Sequence, residues 1–212
     1  MGYSLTLEDK ATLREYFPHL HHDLKRQCVW GTLIIASAYD TDTGLFTPRA
    51  SPNQRGYIKD DYEIRIKLDQ LDVFGFPEVY EESGRLLRAS KMSDQSPAEW
   101  HINKDGSICL GIFPEYEWKN VTAHILDKII PFFYWASYRE SYGIEPWKAY
   151  SHGCAGLEEA LRMPHNKING TARNMPCPCF SGKKYKRCCL HRDEAILAAM
   201  RKLYKESPSA NT

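Results

Sequence analysis

Long hydrophobic runs are missing from this sequence of 212 residues. The longest apolar stretch, around Leu33–Ala38, falls far short of the roughly 20 residues that cross a bilayer. The N-terminal Met1–Asp9 has neither the basic start nor the apolar centre of a secretory signal. No glycine-rich nucleotide-binding loop is present, so no residues here are expected to activate a carboxyl group with ATP. A clear Cys-His-Asp triad is also missing. These absences argue against a membrane partner and against a self-sufficient ligase, and they make the cytoplasm the expected location.

The net charge of +1 conceals an asymmetry. Residues 166–212 hold ten Lys/Arg and three Asp/Glu, a balance of +7, which leaves about −6 on residues 1–165. An acidic body therefore carries a basic tail, and the domain boundary is expected at 165/166. A hydrophobic content of 42% supplies a core for the first part. The tail, of about forty residues, is too small to build one unaided.

Seven cysteines cannot all pair internally, and in a reducing compartment they read as metal ligands or reactive thiols. Cys177, Cys179, Cys188 and Cys189 cluster in the tail, whereas Cys28, Cys109 and Cys154 stand apart. Thiolates bind zinc tetrahedrally, and Gly182 allows the turn that folds the second pair onto the first. The spacing leaves Cys189 and His191 as alternatives for the fourth ligand. Lys183, Lys184, Lys186 and Arg187 oppose the charge of a thiolate site. Four basic residues around a single aromatic, Tyr185, are a weak signal for nucleic-acid binding, so nucleic acid is not an expected partner.

Along the body, Thr6-Leu-Glu-Asp9 reads as a capping signal for a short helix that ends before Pro18. His19, His21 and His22 read as a solvated loop. Val29–Tyr39 reads as a buried strand. Tyr62, Ile64, Ile66 and Leu68 alternate with Glu63, Arg65 and Lys67, the signature of a strand with one wet face. Phe74–Tyr80 and Gly84–Leu87 read as further strand segments. Asn120 is a suitable N-cap for a helix running to about Tyr142, interrupted at Pro131 and stopped by Gly143. Pro146-Trp147 and Tyr150-Ser-His-Gly153 connect to a shorter helix, Leu157–Met163. The fold class is α+β: an antiparallel β-meander of about four strands with flanking helices, plus a small zinc-stapled C-terminal module.

Within this frame, Trp100–Trp118 places a single thiol, Cys109, six residues after the amide of Asn103, across a glycine-containing turn. An accessible thiolate is a nucleophile that can carry an acyl group. A neighbouring amide can donate to the oxyanion that forms when the thioester is attacked. His101 is a candidate base or a loop anchor, and His152 is a second candidate base. A buried structural cysteine is the bland alternative for Cys109.

Two resemblances sharpen these readings. Arg173-Asn-Met-Pro-Cys-Pro-Cys-Phe-Ser-Gly-Lys-Lys-Tyr-Lys-Arg-Cys-Cys189 resembles a SEC-C motif, the zinc module found at the C-terminus of the SecA translocation ATPase. Such modules serve protein–protein contact. The resemblance implies structural zinc on Cys177, Cys179, Cys188 and Cys189, with Phe180 standing where the family has glycine. His101-Ile-Asn103, a turn, Ile108-Cys-Leu110 and Trp118, preceded by Phe76-Pro-Glu-Val-Tyr80, resemble the active region of ubiquitin-conjugating enzymes over roughly residues 25–162. Ile102 replaces the family's proline, and the interval from Asn103 to Cys109 is two residues shorter.

That second resemblance implies a thioester on Cys109, an oxyanion-stabilising Asn103 and a loop-structuring His101, with His152 packed beside the loop. The helical segment Trp135–Glu159, with its Pro146–Gly153 stretch, looks more like bacterial than eukaryotic members of the fold, and the bacterial ones often sit in CBASS antiviral operons. There they join the C-terminus of a CD-NTase, a cGAS-like nucleotidyltransferase, to a target. The implied partners are an activated protein C-terminus as acyl donor and a lysine or small amine as acceptor. A non-catalytic adaptor needs neither the thiol nor the amide, and a Cys-His deconjugating hydrolase needs a triad.

Overall fold

A computed structural model describes residues 2–72, 75–111, 119–147, 173–177, 181–191, 193–195 and 197–198. The chain divides into two compact units, Met1–Leu110 with Glu117–Ala149, and Gly111–Tyr116 with Tyr150–Thr212.

The first unit is an antiparallel sheet covered on one face by helices. Helix α1 (Leu7–Tyr16) opens with the capping box read from the sequence: Thr6 accepts from the Asp9 backbone, and the Asp9 carboxylate accepts from the Thr6 backbone. Strands β1 (Leu20–Asp23), β2 (Cys28–Asp40), β4 (Tyr57–Leu71) and β5 (Pro77–Glu81) pair in that order. A fifth strand, β3 (Leu45–Thr47), pairs with the end of β2. The meander thus has one strand more than expected, formed inside the turn-rich segment after Asp40. His21 and His22 lie on β1 rather than in a loop, because Trp30 and Val29 across the ladder give them pairing partners.

Strand β4 follows its alternation. Tyr62, Ile64, Ile66 and Leu68 are buried, while Glu63, Arg65 and Lys67 face outward. Strand β2 is one-sided too, which corrects the fully buried reading. Val29, Leu33 and Ile35 are inside, but Trp30 and Ile34 are 45% and 44% exposed. Gly84–Leu87 is a correction of another kind, since Gly84 is the left-handed N-cap of helix α2 (Arg85–Met92). Leu86 and Ser90, four apart, are its buried residues, a helical period that a four-residue window conceals.

Asn120 caps the covering helix by accepting from the Ala123 N–H at 2.7 Å. The helix runs as α3 (Val121–His124), a π turn (Ile125–Ile129) and α4 (Ile130–Tyr142), and ends at left-handed Gly143. The Ile130 N–H donates to Ile125 five residues back, and Pro131 begins the next segment. The widened turn absorbs the missing proline donor without ending the helix. Val121, Ile125, Ile129 and Phe133 complete the core over the sheet. Substituting Asn120 by Ala is expected to cost about 1 kcal/mol, read from the urea midpoint. No loss would show that the cap is dispensable.

A polar lock ties α2 and α4 to β4. Arg85 donates to both Asp60 oxygens at 2.9 and 2.7 Å, lies 2.6 Å from Glu140, and sits 4.5 Å above the Tyr62 ring. Ser137 Oγ donates to Asp60 at 2.7 Å. Burial alone would raise the Asp60 carboxyl, but the bonds from Arg85 and Ser137 outweigh it and hold it below the ordinary range. Asp60 therefore contributes stability above about pH 4, lost as pH falls through its lowered value. Arg85→Ala is expected to cost about 2 kcal/mol, less than the cost of breaking a fully buried pair because the guanidinium is part exposed. It should also abolish that acid limb, as urea titrations from pH 3 to 7 would show; an unchanged limb would assign it to other groups.

Candidate functional site and C-terminal cysteine cluster

Cys109 lies at the end of a tight hairpin. The Asn103 N–H donates to Ser107 O at 2.8 Å, the Gly106 N–H to Asn103 O at 3.0 Å, and the Cys109 N–H to His101 O at 2.7 Å. Ile102 bridges Ile108. Three residues, Lys104, Asp105 and Gly106, form the loop, and Gly106 takes the positive φ (84°) that a type I turn with a G1 bulge requires. The second arm docks on the sheet through Ile108 N–H to Val79 O at 2.7 Å.

Strand alternation sorts the side chains. Ile102, Ile108 and Leu110 pack in or against the core. By that alternation Asn103, Ser107 and Cys109 are expected on the opposite side of the hairpin from Ile102 and Ile108. Cys109 is half-buried and is not in a disulfide. The Asn103 carboxamide is tied down, with Nδ2 donating to Ser107 Oγ at 3.0 Å. Ser107 in turn donates to Asp105 Oδ1 at 2.7 Å, and its backbone N–H reaches the same oxygen at 2.9 Å. These bonds hold the Asp105 carboxyl below its usual range.

The hairpin's first arm is anchored on α4. His101, in a left-handed conformation (φ 56°), sets its ring 5.0 Å from Trp135 and 6.3 Å from Phe132, edge to face. Trp100 is buried 6.0 Å from Trp135, and Arg139 lies 4.8 and 5.0 Å over these two indoles. Arg139 also donates to Glu99 O and Gln95 Oε1. The sequence reading missed Ser107, Asp105 and Arg139. The Asp-Gly-Ser turn signalled the first two, whereas nothing local marks Arg139. His152, Trp118 and the helix at 157–163 lie outside the described residues.

In the C-terminal unit, backbone bonds from Cys177 to Lys183, Tyr185 to Met175 and Lys186 to Arg173 fold residues 173–177 against 183–186, with Gly182 at φ 73°. This brings the Cys177, Cys188 and Cys189 sulfurs within 4.8 Å of one another. The Cys188–Cys189 Sγ separation is 3.8 Å. Tetrahedral zinc with Zn–S of about 2.3 Å needs S···S of about 3.8 Å, so the donor set suits a soft, four-coordinate metal. Cys179, the fourth cysteine of the motif, lies outside the described residues. The His191 side chain is 90% exposed and faces Glu194 at 3.7 Å rather than joining the cluster. Tyr185 is fully buried and donates to Asp193 at 2.7 Å. Burial and that bond push its hydroxyl pKa upward, so it remains a donor.

Residues 173–190 match the SEC-C motif. Over 36 residues the chain is 47% identical to protein translocase subunit SecA of Desulforudis audaxviator, a match spanning 17% of this chain and 4% of SecA. It is 76% identical over 38 residues to SecA 1 of Rhodopirellula baltica, 18% of this chain and 3% of that protein. It is 53% identical over 34 residues to the uncharacterized protein YecA of Escherichia coli (strain K12), 16% of this chain and 15% of YecA. The chain thus spans only a small part of each relative. No solved structure matches it. Among the described residues, no helix is long and apolar enough to cross a membrane.

Proposed function

We propose that this protein is a ubiquitin-conjugating-like acyl carrier of the kind associated with CBASS operons, acting in the cytoplasm, with Cys109 as its nucleophile. The observation that carries this reading is the hairpin, which places a half-buried Cys109 on the same short ladder as Asn103, whose carboxamide donates to Ser107, while Ile102 and Ile108 pack on the core. The Cys109 sulfur attacks the carbonyl of an activated protein C-terminus, such as that of a CD-NTase, and the donor's leaving group departs. A lysine amine then attacks the Cys109 thioester, the amide bond forms, and the Cys109 thiolate leaves. Asn103 donates to the oxyanion that forms when the amine attacks the thioester. His101 holds the loop through its aromatic contacts, and His152 is the reserve candidate for proton transfer.

The C-terminal module holds structural zinc through Cys177, Cys179, Cys188 and Cys189 and presents a partner-binding surface. The SEC-C match and the clustered sulfurs support this half of the reading.

A glycine-terminated peptide thioester supplies an activated acyl group without knowledge of the natural donor. Incubation with the full chain is expected to give an intact-mass adduct that is lost with thiol reductant and absent in Cys109→Ala. Equal adduct in wild type and Cys109→Ala would sink the reading in favour of an adaptor whose cysteines react indiscriminately.

A further inference from the structure

The hairpin holds a directional relay. A primary carboxamide presents an oxygen on one side and an NH2 on the other, and its terminal torsion is broad and roughly two-fold. Turned the wrong way, Asn103 would aim a lone pair at the developing oxyanion and repel it. Ser107 determines which way it turns. The Ser107 hydroxyl proton is committed to Asp105, and the same carboxylate oxygen is pinned by the Ser107 backbone N–H. With its proton spent, Ser107 Oγ can only accept, so it selects the NH2 end of Asn103. Ser107 is only 5% exposed, which restricts water at its hydroxyl, while its partners Asn103 and Asp105 are exposed.

We propose that Ser107 and Asp105 are positioning residues that orient the Asn103 carboxamide, leaving its second N–H to face the acyl carbonyl on Cys109. This rests on the acyl-carrier reading of Cys109. It assigns a purpose to the Asp-Gly-Ser turn beyond closing the hairpin, and it makes the short interval between Asn103 and Cys109 workable. The asparagine is held from across the ladder rather than by a longer loop. Neither residue touches the reacting atoms. Their effect should therefore fall on the attack of the amine, where the oxyanion donor matters, more than on folding.

The test uses the full chain, the same peptide thioester, and free lysine as the amine. Ser107→Ala is expected to load at close to the wild-type rate and to discharge roughly tenfold to a hundredfold more slowly, the penalty of a misaligned group. Ser107→Thr, which keeps the hydroxyl, should restore discharge, and Asp105→Asn should slow it in the same direction as Ser107→Ala. A second readout is independent of acyl chemistry. The Asn103 side-chain NH2 signals in a 1H–15N spectrum, identified by their loss in Asn103→Asp, should shift in Ser107→Ala and return in Ser107→Thr. Unshifted NH2 signals, equal losses in loading and discharge, or failed rescue by threonine would overturn the positioning role. If the wild-type chain takes no acyl group at all, the conjugating reading fails, and the NH2 signals alone decide whether Ser107 orients Asn103.

Discussion

Cys177→Ser is expected to strip the protein of zinc, from about one equivalent per chain to near none, and to unfold the C-terminal module. The magnitude follows from how little else holds that unit together. Its described apolar core is Cys177, Tyr185, Cys189 and Leu190 with Cys188 against them, so three of the five core residues are cysteines of the proposed ligand set. Structural zinc contributes on the order of 10 kcal/mol in modules of this size, far more than one tyrosine and one leucine can supply. The exposed Lys183, Lys184, Lys186 and Arg187 would offset the negative charge that four thiolates on one divalent ion leave. Metal analysis together with hydrogen exchange at the Tyr185 amide, bonded to Met175 O in the folded module, checks both halves of the expectation. Cys189→Ser should behave as Cys177→Ser does, while His191→Ala should keep its metal because that ring faces solvent. Zinc retained in Cys177→Ser, or lost in His191→Ala, would reject the ligand set.

The second large effect is at Cys109, where alanine and serine should fail differently. Alanine has no nucleophile, so no acyl adduct forms. Serine is a far weaker nucleophile at neutral pH and should load slowly, but any oxyester it forms should resist thiol reductant and persist with free lysine present, because an alkoxide leaves less readily than a thiolate. Intact mass with and without reductant separates the three proteins. A reductant-stable adduct on serine beside a reductant-labile one on cysteine is the pattern of covalent catalysis. Serine and alanine behaving alike, with wild type unlabelled, would favour the adaptor.

Much of the fold was legible because local chemistry and burial agree. Tyr62 to Leu68 alternate as a half-buried strand must, Thr6 and Asp9 form a capping box, and Asn120 and Gly143 bracket the long helix. The misreadings arose where a short window was ambiguous. Arg85-Leu-Leu looks like a strand fragment until Ser90 reveals the helical period. Val29–Tyr39 looks buried throughout because Trp30 and Ile34 are apolar, yet they face the uncovered side of the sheet. Pro131 marked a disruption correctly, but not that a π turn would absorb it.

At the candidate site, Cys109, Asn103 and His101 stood out by type and spacing. Ser107 did not, since a serine after Asp-Gly reads as turn filler until its hydroxyl is seen between two side chains. Arg139 could not have been found locally, because its bond to Glu99 joins residues 40 apart. In the tail, spacing left the last ligand open between Cys189 and His191, and the exposed histidine ring shows which side chain turns inward.

Locating the acyl group is the most direct test of covalent carriage by Cys109. Cleavage after Lys104 and Lys119 releases Asp105–Lys119, in which Cys109 is the single cysteine of the chain's seven. After brief exposure of the wild-type protein to the peptide thioester, tandem mass spectrometry should place the acyl mass on that peptide at Cys109. An acyl group found instead on peptides carrying Cys28, Cys154 or the tail cysteines, with Asp105–Lys119 unmodified, would contradict it.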